Sequence, residues 1–205
     1  MKYFSSIFLI FILASCESSD SPEFPYDSRC IDFGGEYQII SMTSLGSPID
    51  LDGDGISSND LYSEITQSGF YNFEYRSSCA VVIPQNEYQK NNPSLWSTTP
   101  IIWFRIPVQK MSKLSDGRYI THTYQNWFNQ YKYGFSNTGE LWAEKLLENG
   151  SDFSEVTDAQ YGEFLSIKKT VEDTFSAQFN VKYFDFCKNE FLIIPIDVCY
   201  TKIAN

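Results

Sequence analysis

The sequence has little of what most enzymes use for proton transfer or phosphate binding. It holds a single histidine, His122, in 205 residues, and it lacks a GxSxG elbow, an HExxH zinc motif, a P-loop and a GxGxxG turn. His122 lies in a strand-like stretch, where a lone histidine is typical of a surface or packing residue. We therefore predict a protein without catalytic activity. A hydrolase stays the alternative, because the two carboxylates of a glycosidase can meet in the fold while lying far apart in sequence.

Basic residues are also scarce. The chain has 15 Lys and Arg against 26 Asp and Glu, a net charge of −11. Binding to nucleic acid requires Lys and Arg side chains on the phosphates, and binding to an anionic lipid surface requires the same positive charges. Because these residues are scarce, we exclude nucleic acid as a partner. It does suit divalent cations.

The one long apolar run lies at the amino terminus. Residues 4–14 are apolar apart from Ser5 and Ser6 and follow Lys2. This run is shorter than the roughly 20 residues that span a bilayer, and it is typical of a secretory signal. It ends in Leu13-Ala14-Ser15-Cys16, which resembles the lipobox of bacterial lipoproteins. The resemblance implies cleavage before Cys16, a lipid on the Cys16 thiol and, with it, anchoring in a membrane. The alternative is an ordinary cleaved signal in which Cys16 is incidental.

This interpretation divides the chain into three parts. Residues 1–15 are the signal peptide, 16–26 the lipidated cysteine with a flexible tether, and 27–205 one β-rich domain. The tether is polar and acidic and cannot bury enough apolar surface to order itself. Its acidic residues resemble those of Gram-negative surface lipoproteins, which implies an exported protein anchored in the outer membrane, at the cell surface or on the periplasmic face.

Four cysteines remain once Cys16 is set aside: Cys30, Cys79, Cys187 and Cys199. An even number in an exported chain predicts two disulfides. Free buried thiols and a zinc site are the alternatives, although no pair has the close spacing of a zinc knuckle.

The folded part is expected to be mainly β, a single antiparallel β-barrel or sandwich. Residues 175–183 alternate apolar and polar side chains, as a strand with one buried face does. We also expect strands at residues 36–43, 69–83, 101–108, 118–128 and 131–136, with a hairpin turn at Asn137-Thr138-Gly139. Residues 140–147 and 157–171 fit either a strand or a helix.

The last two strands constrain the disulfides. If residue 187 pairs with residue 191 in a hairpin, Cys199 lies opposite Phe179, about 26 Å from Cys187 at roughly 3.3 Å per residue. Bridged Cα atoms lie within roughly 7 Å, so each of these cysteines is expected to pair with Cys30 or Cys79 instead. Pro195 weakens the last strand and favours an edge position or a bulge.

The most specific chemistry lies between residues 50 and 60. Asp50, Asp52 and Asp54 alternate with other residues up to Gly55, and carboxylates in this pattern converge on one centre when the backbone loops around it. Ca²⁺ takes six to eight such oxygen ligands, and repulsion between the acids is relieved by a cation. The alternative is an Asp-Gly surface turn that binds no ion.

The loop resembles the DxDxDG loops of EF-hand and dockerin calcium sites. The resemblance implies that Asp50, Asp52 and Asp54 are ligands, that the Ile56 carbonyl is another, and that Asp60 closes the site. The loop is one residue shorter than the family pattern, and Glu64 or water is the alternative to Asp60. A short helix is expected from Asp60 to Ile65, capped by Ser58 or Asn59, and the bound calcium is expected to be structural.

The first expected strand carries a further resemblance. Gly35 and Tyr37 occupy the places of the Gly-x-Trp signature that opens lipocalin-like lipoproteins. This resemblance implies an up-and-down barrel with a small apolar cavity, and the calcium loop would be an insert after its first strand. The aromatic residues between Tyr119 and Phe135 fit a packed core or a ligand-lined pocket. We therefore expect a non-catalytic module that binds a small apolar or glycan ligand. A structural lipoprotein that docks on another envelope protein is the alternative.

Overall fold

The structure of the protein is a computed structural model that describes residues 27–73, 78–82, 100–145, 162–171 and 173–203, with the backbone alone at 78–82 and 127–129. The predicted signal peptide, the lipobox with Cys16 and the tether lie outside these residues. Within the described ranges, no helix combines the length and the apolar character needed to cross a membrane.

The fold is mainly β, as the alternating sequence pattern predicts. In the part of the chain that the structure describes, two short helices, α1 (Ser28–Phe33) and α2 (Leu61–Gln67), accompany eight strands. The strands are β1 (Gly35–Ser44), β2 (Ser78–Val82), β3 (Ile101–Lys113), β4 (Tyr119–Phe135), β5 (Leu141–Lys145), β6 (Gly162–Lys169), β7 (Thr174–Asp185) and β8 (Glu190–Lys202).

All strand pairs are antiparallel, and the order across the sheet is β5-β4-β3-β2-β1-β8-β7-β6. The sheet folds over so that two four-stranded halves, β5-β4-β3-β2 and β1-β8-β7-β6, face each other as in a sandwich. Contacts between β3 and β7 join the halves, for example the hydrogen bond of 2.6 Å from the Tyr183 hydroxyl to the Pro107 carbonyl. Within the described residues no ladder joins β5 to β6, so the alternative of a closed barrel is not met.

Aromatic side chains fill the space between the halves. The Phe104 ring of β3 lies 5.2 Å from Phe179 of β7 and 5.3 Å from Phe164 of β6, measured between ring centroids. Phe175 stacks on Tyr200 at 4.7 Å. Stacked and edge-on ring pairs of this kind add stability beyond the area that they bury.

Helix α1 closes one end of this core. Phe33 makes ring contacts with Tyr37, Tyr133, Phe135 and Phe175 at 5.4–5.9 Å. The hydroxyl of Tyr37 donates to the Phe33 carbonyl at 2.7 Å, and that of Tyr133 donates to the Cys30 carbonyl at 3.1 Å. These bonds satisfy carbonyls at the carboxyl end of the helix, which have no partner within it.

The hairpin of β7 and β8 corrects the expected register. Asp185 pairs with Glu190, so Cys199 lies opposite Ser176 rather than Phe179. The register with residue 187 opposite 191 is wrong because the turn occupies residues 186–189, where Asn189 adopts a positive φ of 55°. Cys199 is nine residues beyond Glu190, about 30 Å along the strand, so a Cys187–Cys199 bridge stays excluded.

Pro195 does not place β8 at an edge, since β8 lies between β1 and β7. The Pro195 carbonyl accepts a hydrogen bond of 2.8 Å from Leu45, just past the end of β1. In an antiparallel strand the N–H and C=O of one residue point the same way. The missing N–H of Pro195 therefore faces the side on which β1 has ended, and the pairing with β7 is intact.

The two ambiguous segments are strands where the structure describes them. Residues 141–145 form β5, and residues 162–169 form β6. The expected turn joins β4 to β5, with the Gly139 N–H donating to the Ser136 carbonyl at 2.9 Å. Residues 157–161, at the start of the second segment, lie outside the described residues. The two strands expected at 118–128 and 131–136 are one, β4.

Gly162 sets the start of β6. It has φ of +139°, and a β-carbon there would lie 1.8 Å from the Asn180 carbonyl oxygen on β7. Gly162→Ala is therefore expected to cost at least about 2 kcal/mol, because overpacking against backbone forces the strands apart. Gly117→Ala is the matched control: its φ is +88° but nothing lies within 4 Å, so only the strain of about 1 kcal/mol applies. Urea unfolding midpoints measure both, and equal losses would contradict the steric account.

Candidate metal centre

The acidic loop lies at the end of the fold opposite to α1. Residues 50–57 are closed at their base by a bridge in which Ile49 and Ser58 exchange two hydrogen bonds of 3.0 Å. Ile49 and Leu51 are fully buried, as are Leu61 and Ile65 of α2. The loop and α2 thus close the second end of the apolar core and follow β1, as the sequence predicts.

Asp50 organises the backbone of the loop. Its side chain is 1% exposed, and its two carboxylate oxygens accept hydrogen bonds from the N–H groups of Gly53 at 2.7 Å and Gly55 at 3.0 Å. Both glycines have a positive φ, 81° and 88°, a conformation that residues with a side chain rarely adopt. The glycines therefore allow the chain to wrap around the Asp50 carboxylate.

Three carboxylates meet inside the loop. One ligand oxygen each from Asp50, Asp52 and Glu64 lie within 4.8 Å of one another. Two oxygens bound to the same Ca²⁺ at 2.3–2.6 Å can lie no more than about 5 Å apart, so this spacing fits a shared calcium ion. Asp50 and Glu64 are buried and Asp52 is half-buried, which suits a site that holds an ion for structural reasons.

Glu64 belongs to this group because α2 directs it back toward the loop. It lies in the first turn of the helix and is 8% exposed, and its Oε2 accepts the N–H of Leu51 at 2.9 Å. The sequence pattern offers Glu64 only as a replacement for Asp60. The signal that favours it is its position one helical turn after Asp60, on the face that carries the buried Leu61 and Ile65.

Asp60 has a different role in the structure. It caps α2, with Oδ1 accepting from the Ser63 N–H at 3.1 Å and Oδ2 from the Ser63 hydroxyl at 2.6 Å. The helix therefore starts one or two residues later than a cap at Ser58 or Asn59 implies. Neither Asp60 nor Asp54 is among the three grouped carboxylates. Asp54 is exposed and accepts the N–H of Ile56 at 2.7 Å.

Buried polar groups of the sheet hold the loop in place. The Leu51 carbonyl accepts hydrogen bonds of 3.2 Å from the Gln109 amide and from the Tyr124 hydroxyl. The Gln109 Oε1 in turn accepts the Phe184 N–H at 2.7 Å. No sequence motif marks Gln109 or Tyr124 as part of the site, since only the fold brings them to Leu51.

The crowded acids shift one another's protonation. Burial raises the pKa of Glu64, and the negative charges of Asp52 and Asp50 raise it further. The pKa of Asp52 is raised by burial first and then by the charges of Asp54 and Asp50. Both shifts mean that the ionised cluster is destabilised without a counter-ion, and a cation would relieve this repulsion.

The predicted disulfides are not formed among the cysteines whose side chains are described. Cys30, Cys187 and Cys199 carry free thiols, and Cys79 lies in β2, where only the backbone is described. Burial raises the pKa of Cys30 to about 11. Cys30 belongs to the core, whereas Cys199 alternates with the buried Val198 and Tyr200 and faces outward. A Cys30–Cys199 bridge would have to cross the sheet, and bridges to Cys79 stay a prediction.

Cys187 lies beside the acidic group, which the sequence does not indicate. Its thiol donates to Asp50 Oδ2 at 3.3 Å, and the neighbouring Phe186 N–H donates to the Asp50 carbonyl at 3.0 Å. The turn between β7 and β8 therefore packs directly on the loop.

The other predicted positions are placed as follows. Gly35 opens β1 with φ of +145°, and Tyr37 is buried two residues later. His122 is exposed on β4. Tyr124, Tyr131 and Tyr133 are buried in the core, as the packing interpretation of the aromatic region predicts.

Comparison of the chain with protein-family models, with curated proteins and with solved structures finds no match.

Glu64→Gln is expected to change stability in opposite directions with and without calcium. Without calcium, the neutral amide removes one of three crowded charges while its oxygen still accepts the Leu51 N–H, so the melting temperature rises. The raised pKa of Glu64 means that this gain is present above the pKa of the folded state and disappears as the pH falls through it to the unfolded value. With calcium, the variant lacks a ligand and melts below the wild type.

Thermal unfolding in EDTA and in calcium tests this reversal. A change of about 1 kcal/mol corresponds to roughly 2–4 °C in a domain of this size. Glu36→Gln, at an exposed position of β1, is the matched control and is expected to behave as the wild type in both conditions. A Glu64→Gln variant that moves in the same direction in both would contradict the assignment.

Proposed function

We propose that the chain is an exported lipoprotein of the cell envelope whose β-rich domain is stabilised by calcium and serves as a non-catalytic docking module. The observation that carries this proposal is the grouping of Asp50, Asp52 and Glu64 within 4.8 Å, in a loop that closes one end of the core. The ion would be held by these three carboxylates, with the Ile56 carbonyl and water as the remaining oxygen donors.

Calcium would act here by stabilising the closed end of the domain. The loop contributes the buried side chains of Ile49 and Leu51 to the core, and the same segment carries the acids. An ion that neutralises the acids therefore also favours the burial of these apolar groups. Outside the cell calcium is abundant, so a weak site suffices.

The fold also supports a lipocalin-like origin. Every strand from β1 to β8 lies next to its neighbour in sequence except across β5 and β6, and β8 lies next to β1. This strand order is that of an up-and-down barrel that is open between β5 and β6. Gly35 and Tyr37 at the start of β1 fit the same proposal, with Gln38–Ser44 continuing the strand into the calcium loop.

The packing favours docking over ligand storage. The interior between the halves is occupied by aromatic side chains such as Phe104, Phe179 and Tyr200, all at most 1% exposed. Helix α1 and the acidic loop cover the two ends. Both features leave the outer surface as the place where a partner would bind, so we propose another protein rather than a small apolar or glycan ligand.

The lipid anchor is the second element of the proposal. It is supported by Leu13-Ala14-Ser15-Cys16 directly after an apolar run. Cleavage before Cys16 would remove Lys2 and change the balance from 15 basic residues to 14 against 26 acidic ones, a net charge of −12.

Calcium binding is measured by titration calorimetry on the purified protein. The wild type is expected to bind one ion with an affinity in the range of extracellular sites, 10⁻⁴–10⁻³ M or tighter, and Asp52→Asn to lose at least about tenfold. Asp60→Asn is the matched control, since asparagine also caps a helix, and its affinity is expected to be unchanged. No heat in the wild type, or equal losses in both variants, would refute the three-carboxylate site.

Lipidation is tested by metabolic labelling with radioactive palmitate. The wild type is expected to be labelled and to sediment with membranes, and Cys16→Ala to lose the label and appear in the soluble fraction. Cys187→Ala, which removes an exposed thiol, is the control and keeps the label. Label that persists in Cys16→Ala would eliminate the anchor.

A further inference from the structure

An exposed apolar strip lies on the outer face of the hairpin formed by β7 and β8. Ile193 is 69% exposed and Phe191 is 43% exposed. Lys182 lies directly across from Ile193 in the ladder, and its Nζ lies 5.3 Å from the centre of the Phe191 ring. We call Lys182, Phe191 and Ile193 the Ile193 strip.

The strip is held rigidly from below. Phe191 packs on Phe184 at 5.1 Å and on Tyr119 at 5.7 Å between ring centroids, and Phe184 is 1% exposed. Little side-chain entropy is therefore lost when a partner covers Phe191. Within the described part of the chain, Lys182 forms no ion pair, so its charge is available to a carboxylate.

The acidic loop carries a second exposed apolar residue with charge of the opposite sign. Ile56 is 67% exposed, and Asp54, two residues before it, is exposed as well. The Ile56 N–H donates to Asp54 Oδ1, which fixes the carboxylate next to the apolar side chain. We call Asp54 and Ile56 the Ile56 tip. The tip and the strip are therefore complementary: each exposes an isoleucine, and the charge beside it is negative in the tip and positive in the strip.

The strip and the tip lie at the same end of the molecule. Phe184 packs on Phe186 at 5.2 Å, and the Phe186 ring lies 3.5 Å from where a β-carbon on Gly53 would be. The aromatic side chains thus form a continuous path from the strip to the loop. The tip and the strip are complementary and lie next to each other. A two-fold axis can therefore bring the tip of each copy onto the strip of the other, and such an arrangement ends at a dimer.

We propose that the partner of this surface is a second copy of the same chain, and that the Ile56 tip of each copy docks on the Ile193 strip of the other. Each half of the contact pairs Asp54 with Lys182 and covers Ile56 with Phe191 and Ile193. Surface charges more than about 8 Å apart are screened at physiological salt, so charges remote from the contact add little repulsion between the two copies.

A contact of this size is weak between free molecules, because stable interfaces bury about 1,200 Å² or more. Anchoring in one membrane raises the effective concentration of the two copies. In this respect the inference rests on the proposed lipid anchor, whereas it does not require that calcium is bound. A failure of calcium binding and a failure of the contact are therefore seen in separate experiments.

Site-specific photo-crosslinking tests the contact in cells that produce the full chain. Ile193 is replaced by p-benzoylphenylalanine, and light is expected to give a product of twice the mass of one chain. Mass spectrometry of its peptides is expected to join position 193 to residues 52–58. The reciprocal replacement at Ile56 is expected to join that position to residues 182–193, and the palmitate label establishes separately that the chain is anchored.

Two matched controls accompany the experiment. The same photo-reactive residue at Ile40, 46% exposed on the outer face of β1, is expected to give no such product. Lys182→Glu is expected to lower the crosslink from position 193 at least fivefold, whereas Lys168→Glu, at an exposed position of β6, leaves it unchanged. A crosslink to lipid, to another protein or to a different segment of the chain, or no crosslink from either position in a labelled protein, would overturn the proposal.

Discussion

Closing an apolar core at both ends is the constraint on which the rest of this structure depends. The two halves of the sheet bury a continuous set of aromatic and aliphatic side chains, from Phe33 at one end to Leu51 at the other. A sheet that is folded over on itself leaves its two ends open to water unless other parts of the chain cover them. Helix α1 covers one end with the Phe33 ring, and tyrosine hydroxyls donate hydrogen bonds to its carbonyls. This closure brings no like charges together. The other end is covered by a loop that brings three carboxylates together.

The second closure explains why the three carboxylates of the candidate metal site lie where they do. The backbone of Leu51 is buried and must be hydrogen-bonded, since an unpaired buried peptide group costs about 1–3 kcal/mol. Its N–H is satisfied by Glu64 and its carbonyl by Gln109 and Tyr124. Glu64 therefore has a structural role even before an ion binds, and this role places its carboxylate beside Asp50 and Asp52. Burial, and then the repulsion that results, raise the pKa of Glu64 and Asp52, and a cation would supply the missing counter-charge. The side chain that closes this end of the core is thus also one of the three that could hold an ion.

Much of the fold could be predicted because each local signal agrees with the tertiary structure. The alternation through Phe175, Phe179 and Val181 gives β7 and its buried face, and Asn137-Thr138-Gly139 gives the turn before β5. The loop from Asp50 to Gly55 was recognisable from its spacing, since the glycines must sit where the chain turns back on the Asp50 carboxylate. The mainly β class and the short helix after β1 follow from these signals and are confirmed.

The differences have physical reasons that no local pattern contains. The register of β7 and β8 depends on a four-residue turn with Asn189 at positive φ, and the pattern of the strands alone fits several turn lengths. The resemblance to EF-hand loops implies Asp60 as the closing ligand, and only the structure shows that its carboxylate caps α2 by accepting the N–H of Ser63. Gln109 and Tyr124 approach the loop from strands, and Cys187 from the turn between β7 and β8. All three are more than fifty residues away in sequence, so only the tertiary structure shows them.

The acidic loop and α1 lie at opposite ends of the domain. The chain enters α1 at Asp27, and β1 then runs ten residues, about 33 Å at 3.3 Å per residue, to the end that carries the acids. With a lipid on Cys16, the α1 end would be the one tied to the membrane, and the acidic loop and the Ile193 strip would lie far from it. A two-fold axis along the length of the domain keeps both α1 ends on one side, where two anchors in one membrane require them. The geometry that would separate a lipid anchor from the acidic end would therefore also allow that end to serve as the contact between copies.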